Sequence, residues 1–128
     1  EGAPPRLFVY GSLRTGQANP VAALLHGHAR HLGPGTVCAR LYVVSWYGGM
    51  VPSDAAEDRV HGDVFELAAE TAERVLAELD AYEGDGFART PVEVAMGGET
   101  RVAAFAYLYA GSVAGLARMA HGDWLRRD

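Results

Sequence analysis

The sequence predicts an α+β fold, a small mixed β-sheet curled into a barrel and flanked by helices. Three observations point there. Segments with strand character outnumber helical ones, the two kinds do not alternate regularly, and the 128 residues are 49% hydrophobic and 21% charged, an ordinary globular composition. The irregular order argues against a Rossmann-type sheet. The length suits one domain, read as residues 6–128. "EGAPP" (1–5), which opens without methionine, is read as disordered or appended.

"RLFVY" (6–10) is apolar after its first residue, as a strand buried on both faces would be. A short segment opened by Gly11 and closed by Gly16 follows. Asn19 and Pro20 then suit the N-cap and first turn of a helix that continues through "VAALLHGHA". "PG" at 34–35 predicts a turn, and "TVCARLYVV" (36–44) one strand with Cys38 as a small core residue. "SWYGGMVPS" (45–53) reads as loop, and "RVHGDVFEL" (59–67) alternates as a strand does. "AAETAERVLAELDAY" (68–82) puts Val75, Leu76 and Leu79 on one helical face, and this helix must end near Gly84. "RTPVEVAM" and "RVAAFAYLYA" flank "GGE", which predicts a hairpin. The tail, "VAGLARMAHGDWLRRD", reads as a last short helix.

A net charge of −5 argues against a nucleic-acid partner, which would need a basic face. The single cysteine fits a reducing, cytoplasmic setting. No apolar run reaches transmembrane length and no signal peptide precedes Arg6, so no membrane association is expected. The chain is expected to be a monomer.

Several chemistries compete. "GSLRTGQA" (11–18) carries the two glycines of a phosphate-binding P-loop, but Gln17 and Ala18 stand where lysine and a hydroxyl residue are required, so that reading is rejected. Ser12 as a nucleophile would need an oriented base, and the spacing selects none of His26, His28, His31, His61 and His121. His26, His28 and His31 suit zinc or copper by ligand type. No carboxylate or cysteine stands close by in sequence, so they are read instead as a solvated helix end, with no metal site expected. Asp80, Glu83 and Asp85 crowd a helix C-terminus, where the macrodipole disfavours negative charge. That dipole, the neighbouring acids and aromatic walls from Tyr82 and Phe87 would each raise a carboxyl pKa, as a general acid/base near neutral pH requires. The bland alternative is a polar turn ending a helix. A two-carboxylate glycosidase using Asp80 and Glu83 is disfavoured, since acids three apart on one helix end seldom face each other across a cleft.

Taken in order, "YGSL" after the first strand, "YGGMVP", "GDVFEL" and "LDAYEG…FAR" resemble the γ-glutamylcyclotransferase-like superfamily, and within it the AIG2-like and γ-glutamylamine cyclotransferase branch. The resemblance runs from Arg6 to about Tyr109 and implies a small barrel with a cavity at one end. It also implies release of 5-oxoproline from a γ-glutamyl amine or amide, without metal or cofactor. Glu83 then matches the catalytic glutamate, Tyr10, Gly11, Ser12 and Leu13 the substrate-binding loop, and Arg89 the arginine after the catalytic turn. Backbone N–H groups of that loop would form an anion nest, with positive φ expected at Gly11. Phe87 replaces the usual tyrosine and Gly48 the usual proline, both on the expected cavity wall. Two alternatives remain open: a cyclotransferase that deprotects a biosynthetic intermediate such as an aminoglycoside, and a binding module of the same fold without turnover.

Overall fold

In the computed structural model, residues 4–11, 13–14 and 19–126 are described. Their elements are β1 (Arg6–Val9), α1 (Pro20–Gly27), β2 (Ala29–Val37), β3 (Ala39–Val43), β4 (Gly48–Pro52), β5 (Val60–Leu67), α2 (Ala72–Glu83), β6 (Phe87–Ala95), β7 (Arg101–Tyr109) and β8 (Ala117–Arg118). Strand order closes a five-stranded barrel, β1-β5-β2-β6-β7, through a parallel contact between Leu7 of β1 and Phe105 of β7. Beyond that contact β7 takes β4 as its parallel neighbour, and β3 and β8 extend the sheet outward. The mixed barrel with two flanking helices is the expected class.

The pleat explains why β1 is apolar throughout. Leu7 and Val9 face the helices, packing with Leu25 of α1, Phe65 of β5 and Val75 and Leu79 of α2. Phe8 and the following Tyr10 face the barrel interior with Leu41, Met50, Val60, Val64 and Val94. Both faces are therefore dry. Asn19 caps α1 by accepting the Ala22 N–H (2.8 Å), with Pro20 in the first turn. The hairpin forms as β6–β7, paired from Phe87↔Tyr109 to Ala95↔Arg101.

Four local expectations are corrected. Pro34 and Gly35 lie within β2, just past a bulge between His31 and Gly33, where a missing N–H is tolerated. The expected strand 36–44 is broken at Cys38, which is exposed and donates its S–H to the carbonyls of Ser53 and Ala55. Residues 48–52, expected as loop, form β4 because β3 and β7 offer it ladders on both edges. The tail forms no helix over its described residues. Met119 N–H donates to Leu41 C=O (2.8 Å), and Gly122 C=O accepts from His61 N–H (2.8 Å), so its hydrogen bonds go to the sheet.

Where β7 exchanges β1 for β4, a seam opens that no strand fills. Tyr10 fills it. Its hydroxyl donates to Tyr107 C=O (2.8 Å) and accepts from Met50 N–H (3.1 Å), joining β7 to β4. Burial raises the Tyr10 pKa, so the phenol keeps its proton. Tyr10→Phe leaves a buried donor and a buried acceptor unpaired, and a stability loss of roughly 2–4 kcal/mol is expected in urea unfolding. A loss below about 0.5 kcal/mol would show that the seam needs no hydroxyl.

Candidate active site

A cavity of about 500 Å³ opens at the end of the barrel where β1 stops and α2 ends. Tyr10, Gly11 and Leu13 enter it from the end of β1, Trp46, Tyr47 and Gly48 from the β3–β4 connection. Tyr82, Glu83, Gly86 and Phe87 come from the α2–β6 turn, Tyr107 from β7, and Trp124 and Leu125 from the tail. The wall is mostly aromatic.

Glu83 is the last residue of α2, and the chain leaves the helix at once through Gly84, at φ 76° and ψ −168°. That conformation is essentially restricted to glycine. The abrupt stop turns Glu83 to the cavity, while Gly84 N–H caps Asp80 C=O (3.0 Å). Glu83 is the one carboxylate among the described lining residues, and no described basic side chain joins it there. Burial pushes its carboxyl from the ordinary 4.5 up to about 7. The raised pKa expected for this cluster thus falls on Glu83, and burial is its cause.

Asp80, one turn earlier, is engaged elsewhere. It accepts a hydrogen bond from Tyr107 Oη (2.6 Å) and lies 3.4 Å from Arg89 Nε. It does not line the cavity, nor does Asp85, so the wall holds no carboxylate pair of the glycosidase kind. Arg89, expected to contact substrate, is placed outside the lining, with its guanidinium 5.2 Å from the Phe105 ring centroid. Its contact with the site runs through Asp80 and Tyr107.

Gly11 lines the cavity as expected, but its φ is not positive, and a Cβ there would meet Trp124 Cδ1 at an ordinary 3.9 Å. Positive φ at Gly11 is therefore no part of an anion nest. Ser12 lies outside the described residues, as does Gly16. No histidine lines the cavity among the described residues. The histidines are dispersed: His26 Nε2 bonds Leu13 C=O (2.9 Å) and its ring stacks on Phe65. His28 lies beside Arg74, and His31, in β2, bonds Asp63 (3.2 Å). Among the described residues no three His, Cys, Asp or Glu are grouped to hold a metal.

Two features have no mark in the local sequence. Arg14 Nε pairs with buried Asp63 of β5 (3.1 Å) and its Nη1 with Asp123 (3.0 Å), tying the segment after β1 to the barrel and tail. Next to Asp123, Trp124 fills the space beside Gly48. A Cβ on Gly48 would lie 2.7 Å from its ring, which gives the glycine at that position a steric reason. The ion triad spans 109 positions, and no short-range pattern signals it. Phe87, the other departure, packs on Tyr109 (5.6 Å) and Tyr47 (5.9 Å).

The small mixed barrel with a cavity at its mouth is the fold of the γ-glutamyl cyclotransferase-like class. Residues 7–126 match the family described as gamma-glutamyl cyclotransferase, AIG2-like, and the chain belongs to that family. It is 37% identical over 129 residues to the gamma-glutamylcyclotransferase family protein ytfP of Citrobacter rodentium, covering 96% of this chain and 97% of the relative. The solution structure of Escherichia coli ytfP, 36% identical, superposes with a TM-score of 0.65 over 96% of this chain and 98% of that one. The mouse aig2-like protein shares the fold at 23% identity, with a TM-score of 0.73 over 96% and 89% of the two chains. No helix among the described residues is long and apolar enough to cross a membrane.

Proposed function

We propose that the protein releases 5-oxoproline and a free amine from a γ-glutamyl amine or amide, with Glu83 as general base and then general acid. The observation that carries this is one carboxyl group, raised to about 7 by burial, alone in an aromatic cavity. The Glu83 carboxylate takes a proton from the substrate's α-ammonium. The freed amine nitrogen attacks the γ-carbonyl carbon of the same molecule, forming the ring C–N bond and a tetrahedral oxyanion. The bond to the leaving nitrogen then breaks as Glu83 returns the proton to it. The regenerated carboxylate takes the surplus proton from the ring nitrogen and passes it on, so that neutral lactam nitrogen remains and the amine departs as its ammonium. Water is not consumed. The protein's task is to hold the substrate curled, since a well-folded intramolecular attack reaches an effective molarity of ~10⁵ M or more.

In this reading backbone N–H groups of the loop that brings Tyr10, Gly11 and Leu13 to the cavity serve the substrate carboxylate or the oxyanion. Arg89 is a positioning residue, holding Asp80 and through it the Tyr107 hydroxyl. The deprotecting alternative for a cationic leaving group wants further acids in the wall, and Glu83 is the one found among the described lining residues.

The test is 5-oxoproline release from a panel of γ-glutamyl amines, γ-glutamyl amino acids and glutathione from about pH 3.5 to pH 9. Because the carboxylate form initiates the reaction, kcat/KM is expected to rise with pH, turn near pH 7 and level above it. A limb turning near pH 4.5 would mean that the working group is an ordinary exposed carboxylate.

A further inference from the structure

Large hydrophobic side chains left exposed are a signal when they cluster. Among the described residues there are three, Trp46 (75% exposed), Tyr82 (41%) and Leu125 (42%). They come from three separate segments, the β3–β4 connection, the end of α2 and the tail, yet all three line the one cavity that holds Glu83. Trp46 is braced edge-on by Tyr47 with ring centroids 5.1 Å apart, and Tyr47 lies against Phe87. The result is an apolar rim continuous with the reacting centre.

We propose that this rim is the binding site for the leaving amine, and that the protein acts on γ-glutamyl derivatives of bulky apolar amines, aromatic or long alkyl, in preference to γ-glutamyl amino acids or peptides. The proposal rests on the cyclotransferase reading. Curling the glutamyl portion at Glu83 directs the amide substituent outward toward the mouth. The cavity of about 500 Å³ lies in the ~300–1,000 Å³ range of sites that enclose drug-sized ligands, larger than a glutamyl group needs. Charge points the same way. No described lining residue is basic, so the carboxylate of an amino-acid leaving group would lose water without gaining a partner there, close to the Glu83 carboxylate. An apolar group loses nothing on entry and covers the rim.

The experiment compares γ-glutamylbenzylamine, γ-glutamylmethylamine and γ-glutamylglycine. Binding is measured by calorimetry on Glu83→Gln protein, which holds ligand without turning it over, and 5-oxoproline release is measured separately with wild type. The benzyl compound is expected to bind at least about tenfold more tightly than the methyl compound, the order expected for burying added apolar surface, with the glycine compound weakest. Adding Trp46→Ser should reduce the benzyl-to-methyl ratio by roughly tenfold, and Leu125→Ser should reduce it in the same direction. Both positions are exposed, so the fold tolerates the changes. Equal affinities, tightest binding of the glycine compound, or a ratio unmoved by both variants overturns the proposal while leaving the cyclotransferase reading intact. Failure of wild type to release 5-oxoproline from any of the three overturns both.

Discussion

Glu83→Gln is expected to abolish turnover and, at pH 8, to make the protein more stable. The amide keeps the size of the side chain but cannot take the ammonium proton, so kcat should fall by at least the ~10²-fold associated with a lost general base. Stability moves the other way because the wild-type charge is held where burial opposes it. The folded carboxyl titrates near 7 and its ordinary value is 4.5, so between these pH values the folded state binds more protons than the unfolded state. Wild-type stability therefore declines as pH rises from about 4.5 through about 7, by at most about 3 kcal/mol. The glutamine variant lacks this decline, and the two unfolding curves should diverge across that interval. A gain of about 1–3 kcal/mol at pH 8 together with lost turnover marks a residue kept for chemistry at the expense of stability. Wild-type turnover in the variant would remove Glu83 from the mechanism, and a loss of stability would show that its charge is compensated.

Arg14→Met should damage the fold more than Tyr10→Phe. The Arg14 and Asp63 side chains are 13% and 5% exposed, and removing the cation takes its arginine partner from a buried carboxylate. Breaking such a pair from one side typically costs ~3–5 kcal/mol, against ~0–1 kcal/mol for a surface pair. Urea unfolding measures it. Asp63→Asn in the same chain should recover much of the loss, because the buried negative charge and not the missing contact dominates. Since Arg14 also holds Asp123, next to Trp124, the tryptophan emission should shift in the single variant. A loss below about 1 kcal/mol would show that Asp63 is held by its other partners.

What is legible in the sequence is what short range decides. β1 announces itself because both its faces are buried, α2 because Val75, Leu76 and Leu79 share a face, and the β6–β7 hairpin because glycines separate two strand-like runs. The cluster Asp80, Glu83 and Asp85 stands out because acids at a helix C-terminus need a reason, and the family resemblance is what picks Glu83 from it. What is not legible depends on distant partners. Residues 48–52 carry glycine and proline, yet two neighbouring strands impose extension on them. The tail carries helical residues, but the hydrogen bonds offered by Leu41 and His61 outweigh that propensity. Tyr10 reads in sequence as a substrate contact and it does line the cavity, but the seam that its hydroxyl closes to residues 40 and 97 positions away has no local mark. Cys38 follows the same rule: the strand expected around it breaks there, and the thiol turns outward.

In the proposed reaction the substrate's own amine, rather than water, displaces the leaving group. Turnover of an active γ-glutamyl amide in water enriched in oxygen-18, with products read by mass spectrometry, tests this most directly. The expected product is 5-oxoproline that carries no heavy oxygen, formed in equal amount with the free amine. Glutamate labelled with oxygen-18 would show hydrolysis and contradict it.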